Sequence, residues 1–338
     1  MKTLFLLPVV SVLSLTLTAF MRWYALSRNL LDLPNVRSSH NLPTPRGGGV
    51  AIVASFMVVL VTMAWYGSLP AMVVWALLGS GSIVAVLGFW DDHGHVPARW
   101  RLLGHFIAAA WGIYWIGGVP SLALVGVVID EPWILNGLAV FYLVWLLNLY
   151  NFMDGIDGIA SVEAICVCLG GAVLFVVTAH PNLGFLLLAL LAAVAGFLYW
   201  NYPPARIFMG DVGSGFLGVI LGLLSLYAGR LVPELFWSWL ILMGVFIVDA
   251  SVTLVRRIAA GQKFYEAHRT HAYQKASIRY KDHQVVTLAV AVINLIWLFP
   301  VASLVFWGKV GCFAGLAVAY LPLILLALYY KAGSSFSA

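Results

Sequence analysis

Apolar runs long enough to cross a bilayer follow one another along almost the whole chain, and they leave few architectures open. A membrane-spanning helix needs about 20 predominantly apolar residues. Runs of that kind predict eleven helices, over about 3–21, 47–66, 71–90, 102–118, 133–151, 159–179, 183–201, 212–228, 234–255, 285–306 and 311–330. Composition agrees, since 63% of the 338 residues are hydrophobic and 9% are charged, against about 25% charged in a soluble domain. The expected fold class is therefore an all-α polytopic membrane protein. It reads as a single domain over 1–338, without linkers, low-complexity tracts or an internal repeat. The first run sits behind Lys2 as a signal peptide would, but it is long and "FMRWYALSR" is a poor small-residue cleavage site. It is kept as a helix. Cys166, Cys168 and Cys312 lie inside apolar runs, where thiols act as small hydrophobes.

Orientation follows from the basic residues, which concentrate on the cytoplasmic side of membrane proteins. With the N-terminus outside, that side collects 15 of the 18 lysines and arginines, leaving only Lys2, Arg230 and Lys309 opposite. The expectation is a periplasmic N-terminus and a cytoplasmic C-terminus. The net charge of +5 then reflects a positive-inside bias, and no nucleic-acid partner is expected. Asp91, Asp92, Asp154, Asp157, Asp211 and Asp249 all fall on the cytoplasmic side, at helix ends or in the loops beyond. One face is plain and the other carries the polar chemistry.

Five stretches hold that chemistry. "GFWDDHGHVPARWR" (88–101) sets two carboxylates side by side, which repel unless a cation is shared. "NLYNFMDGIDGIA" (148–160) repeats Asn148, Asn151, Asp154 and Asp157 at three-residue intervals, near one face of a helix. Acids at membrane depth are costly and normally mark a function, although Asp157 also suits a helix cap. "YWNYPPARIFMGDVGSGFLG" (199–218) breaks a helix at Pro203 and Pro204, then places Gly210, Asp211, Gly213, Ser214 and Gly215 where the next begins. Small residues there expose N–H groups to an anion, and Asp211 can hold a cation bridging it. "RRIAAGQKFYEAHRTHAYQKASIRYKDHQ" (256–284) is the longest cytoplasmic loop. Its His268, Arg269 and His271 suit phosphate better than zinc, for which no third ligand is suitably spaced. "NVRSSHNLPTPRGGGV" (35–50) adds Ser38, Ser39, His40 and Arg46, as a phosphate contact or a turn.

Carboxylates would repel a phosphate unless Mg²⁺ intervenes, so the pattern suits phosphoryl transfer between a soluble donor and a lipid acceptor. The alternative is a cation-coupled transporter, but such proteins place their acids near the midplane within repeats. An intramembrane aspartyl protease would read Gly-x-Gly-Asp, and Phe208 occupies the first glycine's place. The CDP-alcohol phosphotransferase signature needs Ala-Arg soon after its first Asp-Gly, which "DGIDGIAS" lacks.

"DD" at 91–92, "NFMDGIDGIA" at 151–160, "NYPPARIFMGDVGS" at 201–214 and "HRTHAYQ" at 268–274 resemble the polyprenyl-phosphate N-acetylhexosamine-1-phosphate transferases, supported by "VRSSHNLPTPRGGG". That family includes the peptidoglycan translocase and the initiators of O-antigen and enterobacterial common antigen. The resemblance implies a multi-pass enzyme of the bacterial inner membrane, active on its cytoplasmic side. It would join a UDP-N-acetylhexosamine to undecaprenyl phosphate, releasing UMP, with Mg²⁺ as cofactor and Mn²⁺ as a substitute. Membrane lipids are expected partners, and a homodimer is left open. By motif matching, Asp211 would hold the metal, and Asp91 or Asp92 would be the base for the lipid phosphate. Asn151, Asp154, Asp157, Asn201 and Phe208 would line the nucleotide site, with His268, Arg269 and His271 on the sugar-phosphate and Arg46 on a phosphate. His-Arg-Thr-His replaces the peptidoglycan enzyme's three consecutive histidines. This spelling argues against a peptide-bearing donor and resembles O-antigen initiators using UDP-N-acetylglucosamine or UDP-N-acetylfucosamine. The expected Lys or Gln after the Asp pair gives way to Arg99, Arg101 and His105, so no basic residue carries over there.

Overall fold

In a computed structural model the chain is described over residues 5–34, 42–94, 96–120, 122–124, 127–263 and 268–334. Ser38, Ser39 and His40 lie outside these residues. Every one of the eleven apolar runs becomes helical. The first eight are α1 (Leu6–Ser27), α2 (Gly49–Trp65), α3 (Ala71–His93), α4 (Ala98–Trp115), α5 (Pro132–Met153), α6 (Ile159–Val177), α7 (Pro181–Asn201) and α8 (Asp211–Leu231). The ninth run is divided into α9 (Pro233–Leu242) and α10 (Gly244–Ala259). After α11 (Ala272–Tyr280), the tenth run is α12 (His283–Val292), a π-helical turn (Ile293–Leu298) and α13 (Phe299–Phe306), and the last is α14 (Cys312–Tyr329). The chain is a mostly helical, multi-pass membrane protein. Among the described residues eight helices are long and apolar enough to cross a membrane, or nine when the bent pair α9–α10 counts as one. The 17-residue α2 is shorter than a full span, and α4 carries Arg99 and Arg101 in its first turn.

Helix α8 is the axis of the bundle. Its residues from Val212 to Gly229 are all buried, packed by α3, α5, α2 and α9. Lipid tails are as apolar as leucine, so helices in a membrane associate through close van der Waals fit, which small residues permit. At the start of α8 that fit is tight. A Cβ on Gly49 of α2 would lie 2.4 Å from the Gly213 Cα, and one on Gly88 of α3 would lie 2.4 Å from the Val212 nitrogen. Backbone thus touches backbone on two sides of Asp211.

Three features depart from the apolar-run reading. The run 234–255 is not one straight span, because α9 and α10 meet at 70° around Met243. Tyr320 of α14 donates its hydroxyl to the Leu240 carbonyl just before this bend (2.7 Å). The loop at 119–131 holds a short antiparallel pair, β3 (Leu122–Leu124) with β4 (Val127–Ile129), and β1 (Leu31–Asp32) pairs with β2 (Thr44–Pro45). Finally, the long polar loop contains α11. Its start is closed by a capping box in which the His271 side chain accepts from the backbone and Gln274 returns a bond to the His271 N–H.

Candidate active site

The carboxylates converge where α3 and α5 end and α8 begins. Asp92 is buried, and its two oxygens accept from the backbone nitrogens of Asp211 (3.1 Å) and Val212 (3.4 Å). It is the cap of α8, placed at that helix's positive end. Gly210 makes the contact feasible. Its φ is +75°, and a Cβ there would stand 2.4 Å from Asp92 Oδ2, so both the turn and the space call for glycine.

Asp91, one residue earlier, accepts from the Val96 backbone nitrogen (2.8 Å) and from Arg101. The same Arg101 Nη1 donates to Asp211 Oδ2 at 2.9 Å. One guanidinium therefore spans two carboxylates that would otherwise repel. Asn151, in the last turn of α5, lies beside the Asp211 side chain. Arg46 lies close enough to Asp92 to offset its charge, and the buried Arg46 Nε has no hydrogen-bond partner. Half-buried Asp154 caps the end of α5. Burial, together with the charges of Asp211, Asp92 and Asp157, holds its carboxyl well above the usual carboxylate range. Among the described residues no group of three or more His, Cys, Asp or Glu is arranged to hold a metal ion.

Two of the residues expected to line a nucleotide site instead brace the loop that delivers Asp211. Asn201 is buried, accepting from the Gly158 nitrogen and donating to the Ile207 carbonyl, both at 3.0 Å. Asp157 Oδ2 accepts from the Ala205 nitrogen (3.0 Å) and lies 3.3 Å from His283 Nδ1, while its carbonyl accepts from Thr287. Phe208 is half-buried and pairs through its backbone, donating to Pro45 (2.8 Å) and accepting from Gly48 (3.0 Å). The expected anion cradle at α8 is not open. Asp92 takes the first two N–H groups, and those of Gly213 and Ser214 both donate to the Gly210 carbonyl (3.1 Å). Asn148 also turns away, donating to the Val144 carbonyl (2.7 Å) and lying 3.5 Å from His105.

The histidine segment is tied to this centre by α11. Tyr273 donates its hydroxyl to the Phe152 carbonyl (2.9 Å), inside the motif that carries Asn151 and Asp154. A Cβ on Gly155 would collide with that hydroxyl at 2.2 Å. Buried Asp249 of α10 accepts from the Ala272 and Tyr273 nitrogens, both at 2.9 Å, and lies 3.3 Å from His271 Nδ1. His268, beside half-buried Arg269, stacks on His271 with centroids 4.9 Å apart, and His271 stacks on Tyr273. Burial, followed by the charges of His271 and Arg257, pushes the His268 imidazole down to about 3. His268 is thus neutral at neutral pH and serves as a hydrogen-bonding rather than cationic group.

Sequence reasoning set Arg101 aside and left Asp249 and Tyr273 without a role. A lone acid inside an apolar run was the available signal for Asp249, and Gln274 three residues after His271 was the signal for α11. The Arg101 bridge joins residues 110 apart in sequence, and no local pattern encodes it.

The sequence model of glycosyl transferase family 4 matches residues 74–229, the stretch from α3 to the end of α8. The chain is 29% identical to a probable undecaprenyl-phosphate N-acetylglucosaminyl 1-phosphate transferase of Bacillus subtilis, over 88% of this chain and 83% of that protein. It is 29% identical to a decaprenyl-phosphate N-acetylglucosaminephosphotransferase of Mycolicibacterium smegmatis, over 91% and 84%. A phospho-N-acetylmuramoyl-pentapeptide-transferase of Wolbachia pipientis is 28% identical, over 65% and 68%.

Proposed function

Since the chain belongs to the polyprenyl-phosphate hexosamine-1-phosphate transferase family, we propose that it moves an N-acetylhexosamine-1-phosphate from a UDP-sugar to undecaprenyl phosphate. The products are undecaprenyl-pyrophosphoryl sugar and UMP. The observation that carries this reading is the gathering of Asp91, Asp92 and Asp211 with Arg101 at the start of α8. A transporter would have little use for that cluster at one end of the bundle. Two of the relatives described above are named for N-acetylglucosamine, which favours UDP-N-acetylglucosamine as donor. The His-Arg-Thr-His spelling agrees with that donor and with a role in starting O-antigen or a related envelope glycan. In this reading eleven segments cross the bacterial inner membrane, α2 and α4 among them, with the N-terminus outside and the carboxylates at the cytoplasmic face.

Asp211 offers a hard carboxylate donor, and Asn151 stands beside it. Mg²⁺ commonly takes one or two carboxylates and completes its shell with water and substrate phosphate, so the small protein donor set suits it. When bound, the ion would offset the charge of the donor's diphosphate. The chain's own residues do the rest. Asp92 is spent on the α8 backbone, so we assign the base to Asp91, which would take the last proton from the lipid phosphate. That oxygen then attacks the β-phosphorus of the donor, the bond to the α-phosphate oxygen breaks, and UMP leaves. Arg101, already on Asp91 and Asp211, is placed to follow a phosphate. Asp154 borders the donor, and the His268–Arg269–His271 segment meets its sugar-phosphate.

The test is purified protein with Mg²⁺, undecaprenyl phosphate and a panel of UDP-sugars, read by UMP release. UMP formed only when lipid, metal and an N-acetylhexosamine donor are all present supports the reading. Lipid-independent exchange of labelled UMP into the donor at the turnover rate would replace single displacement with an aspartyl intermediate. No UMP from any donor would overturn the assignment. Asp211→Asn should abolish turnover in folded protein, and near-normal activity at ordinary Mg²⁺ would remove Asp211 from the metal.

A further inference from the structure

Arg22 and Arg206 take no part in the site above, yet they form a second basic group at the same end of the bundle. Arg206 follows the Pro203–Pro204 turn that leads to Asp211. Its guanidinium carbon lies 5.2 Å from the centroids of both Tyr199 and Trp200 at the end of α7. Arg22, near the end of α1, lies 5.9 Å from the Trp200 ring and donates Nε to the Arg206 carbonyl (3.2 Å). Among the described residues neither arginine has a carboxylate within ion-pair distance. The adjoining acid, Asp157, is occupied by Ala205 and His283.

Aromatic rings thus lie within cation–π range of both guanidinium groups, and a guanidinium without a carboxylate partner can grip a phosphate through paired N–H bonds. Beside them opens a cavity of about 530 Å³, walled by Leu198, Tyr199, Tyr202, Pro203 and Arg206. Its wall combines two tyrosines and the arginine with hydrocarbon along α7. A free phosphate would use only the arginines, whereas a phospholipid would also fill the cavity with its glycerol and first acyl carbons.

The geometry points to a structural binding site for an anionic phospholipid, with its phosphate between Arg22 and Arg206 and its glycerol region against Tyr199, Tyr202 and Pro203. The site lies outside the carboxylate cluster and its occupancy needs no turnover. A bound lipid would tie the end of α1 to the 202–210 segment that presents Asp211.

The test is native mass spectrometry of the full chain released from micelles doped equally with phosphatidylglycerol and phosphatidylcholine. The wild type should retain phosphatidylglycerol in preference. Arg22→Gln or Arg206→Gln should each lower that preference about fivefold, as expected for one arginine near an anionic lipid, and the double variant should abolish it. Arg206→Lys, keeping the charge without the planar guanidinium, should fall between. Both arginines are at least partly solvent-accessible, so the single variants should fold as the wild type does, checked by an unchanged melting temperature in lipid-free detergent. An unaltered preference in the double variant overturns the site. So does displacement of phosphatidylglycerol by inorganic phosphate, which would make it a simple anion site, or by undecaprenyl phosphate at equal concentration, which would make it an acceptor site.

Discussion

Gly88→Ala is the smallest change that should separate the two halves of the carboxylate cluster. The added Cβ would stand 2.4 Å from the Val212 nitrogen, 2.5 Å from its Cα and 2.6 Å from the Asp211 carbonyl carbon. All three are backbone atoms of α8, so no side chain can rotate aside. Ordinary contact begins near 3.4 Å, so α3 must withdraw from α8 by about 1 Å, an overpacking that typically costs about 1–3 kcal/mol. Asp92 is one helical turn beyond Gly88 and moves with it. Its bonds to Asp211 and Val212, now 3.1 and 3.4 Å, would both stretch past hydrogen-bonding range. Asp91 would retreat from Asp211 by the same amount. A misplacement of about 1 Å in a catalytic constellation can cost about 10²-fold. The expected outcome is a kcat for UMP release lower by about two orders of magnitude, in protein that remains monodisperse with a reduced melting temperature. Gly137→Ala in α5, where no heavy atom lies within 4 Å, is the control and should stay at wild-type activity. Folded Gly88→Ala protein turning over at the wild-type rate would refute the idea that α3–α8 contact sets the site geometry.

Arg101→Gln leaves Asp91 and Asp211 without their shared guanidinium. Turnover should fall about tenfold, the scale of a charge-assisted bond, while the Mg²⁺ needed for half-maximal rate should drop because the guanidinium no longer competes for Asp211. An unchanged Mg²⁺ titration would show that Arg101 does not share that position. Asp249→Asn replaces an oxygen that accepts a backbone N–H with an amide nitrogen that cannot. It should cost about 1–3 kcal/mol of stability and raise the donor KM more than that of the lipid, as His271 loses its orientation. Equal effects on both substrates would count against the histidine segment as donor contact. His268, neutral when folded but protonated in the unfolded chain at low pH, makes the folded state bind fewer protons. Stability should therefore fall as pH drops through the ordinary histidine range near 6.5 and go on falling toward about 3. His268→Asn should lessen that acid sensitivity in thermal melts, and identical pH profiles for the two proteins would contradict it.

The apolar runs by themselves determined that this is a multi-pass helical protein, because hydrocarbon leaves a backbone few ways to satisfy its polar groups. They also announced the acids, since a carboxylate such as Asp154 or Asp211 is too costly beside lipid to be kept without use. Motif order was enough to point to the family. What residue types could not convey was which partner each acid meets. Asp91 and Asp92 are adjacent in sequence, yet one meets Arg101 and the other caps a helix more than a hundred residues away. Asn201 and Asp157 read as ligand contacts, and the fold shows that both also bond the segments around the turn that carries Asp211. The bend at Met243 and the capped start of α11 were equally hidden, since each depends on a partner from a distant helix, Tyr320 or Asp249. A side chain's identity sets what it can bond. Only the packing of α2, α3 and α5 around α8, and of α10 against α5 and α11, decides which of those bonds are already taken.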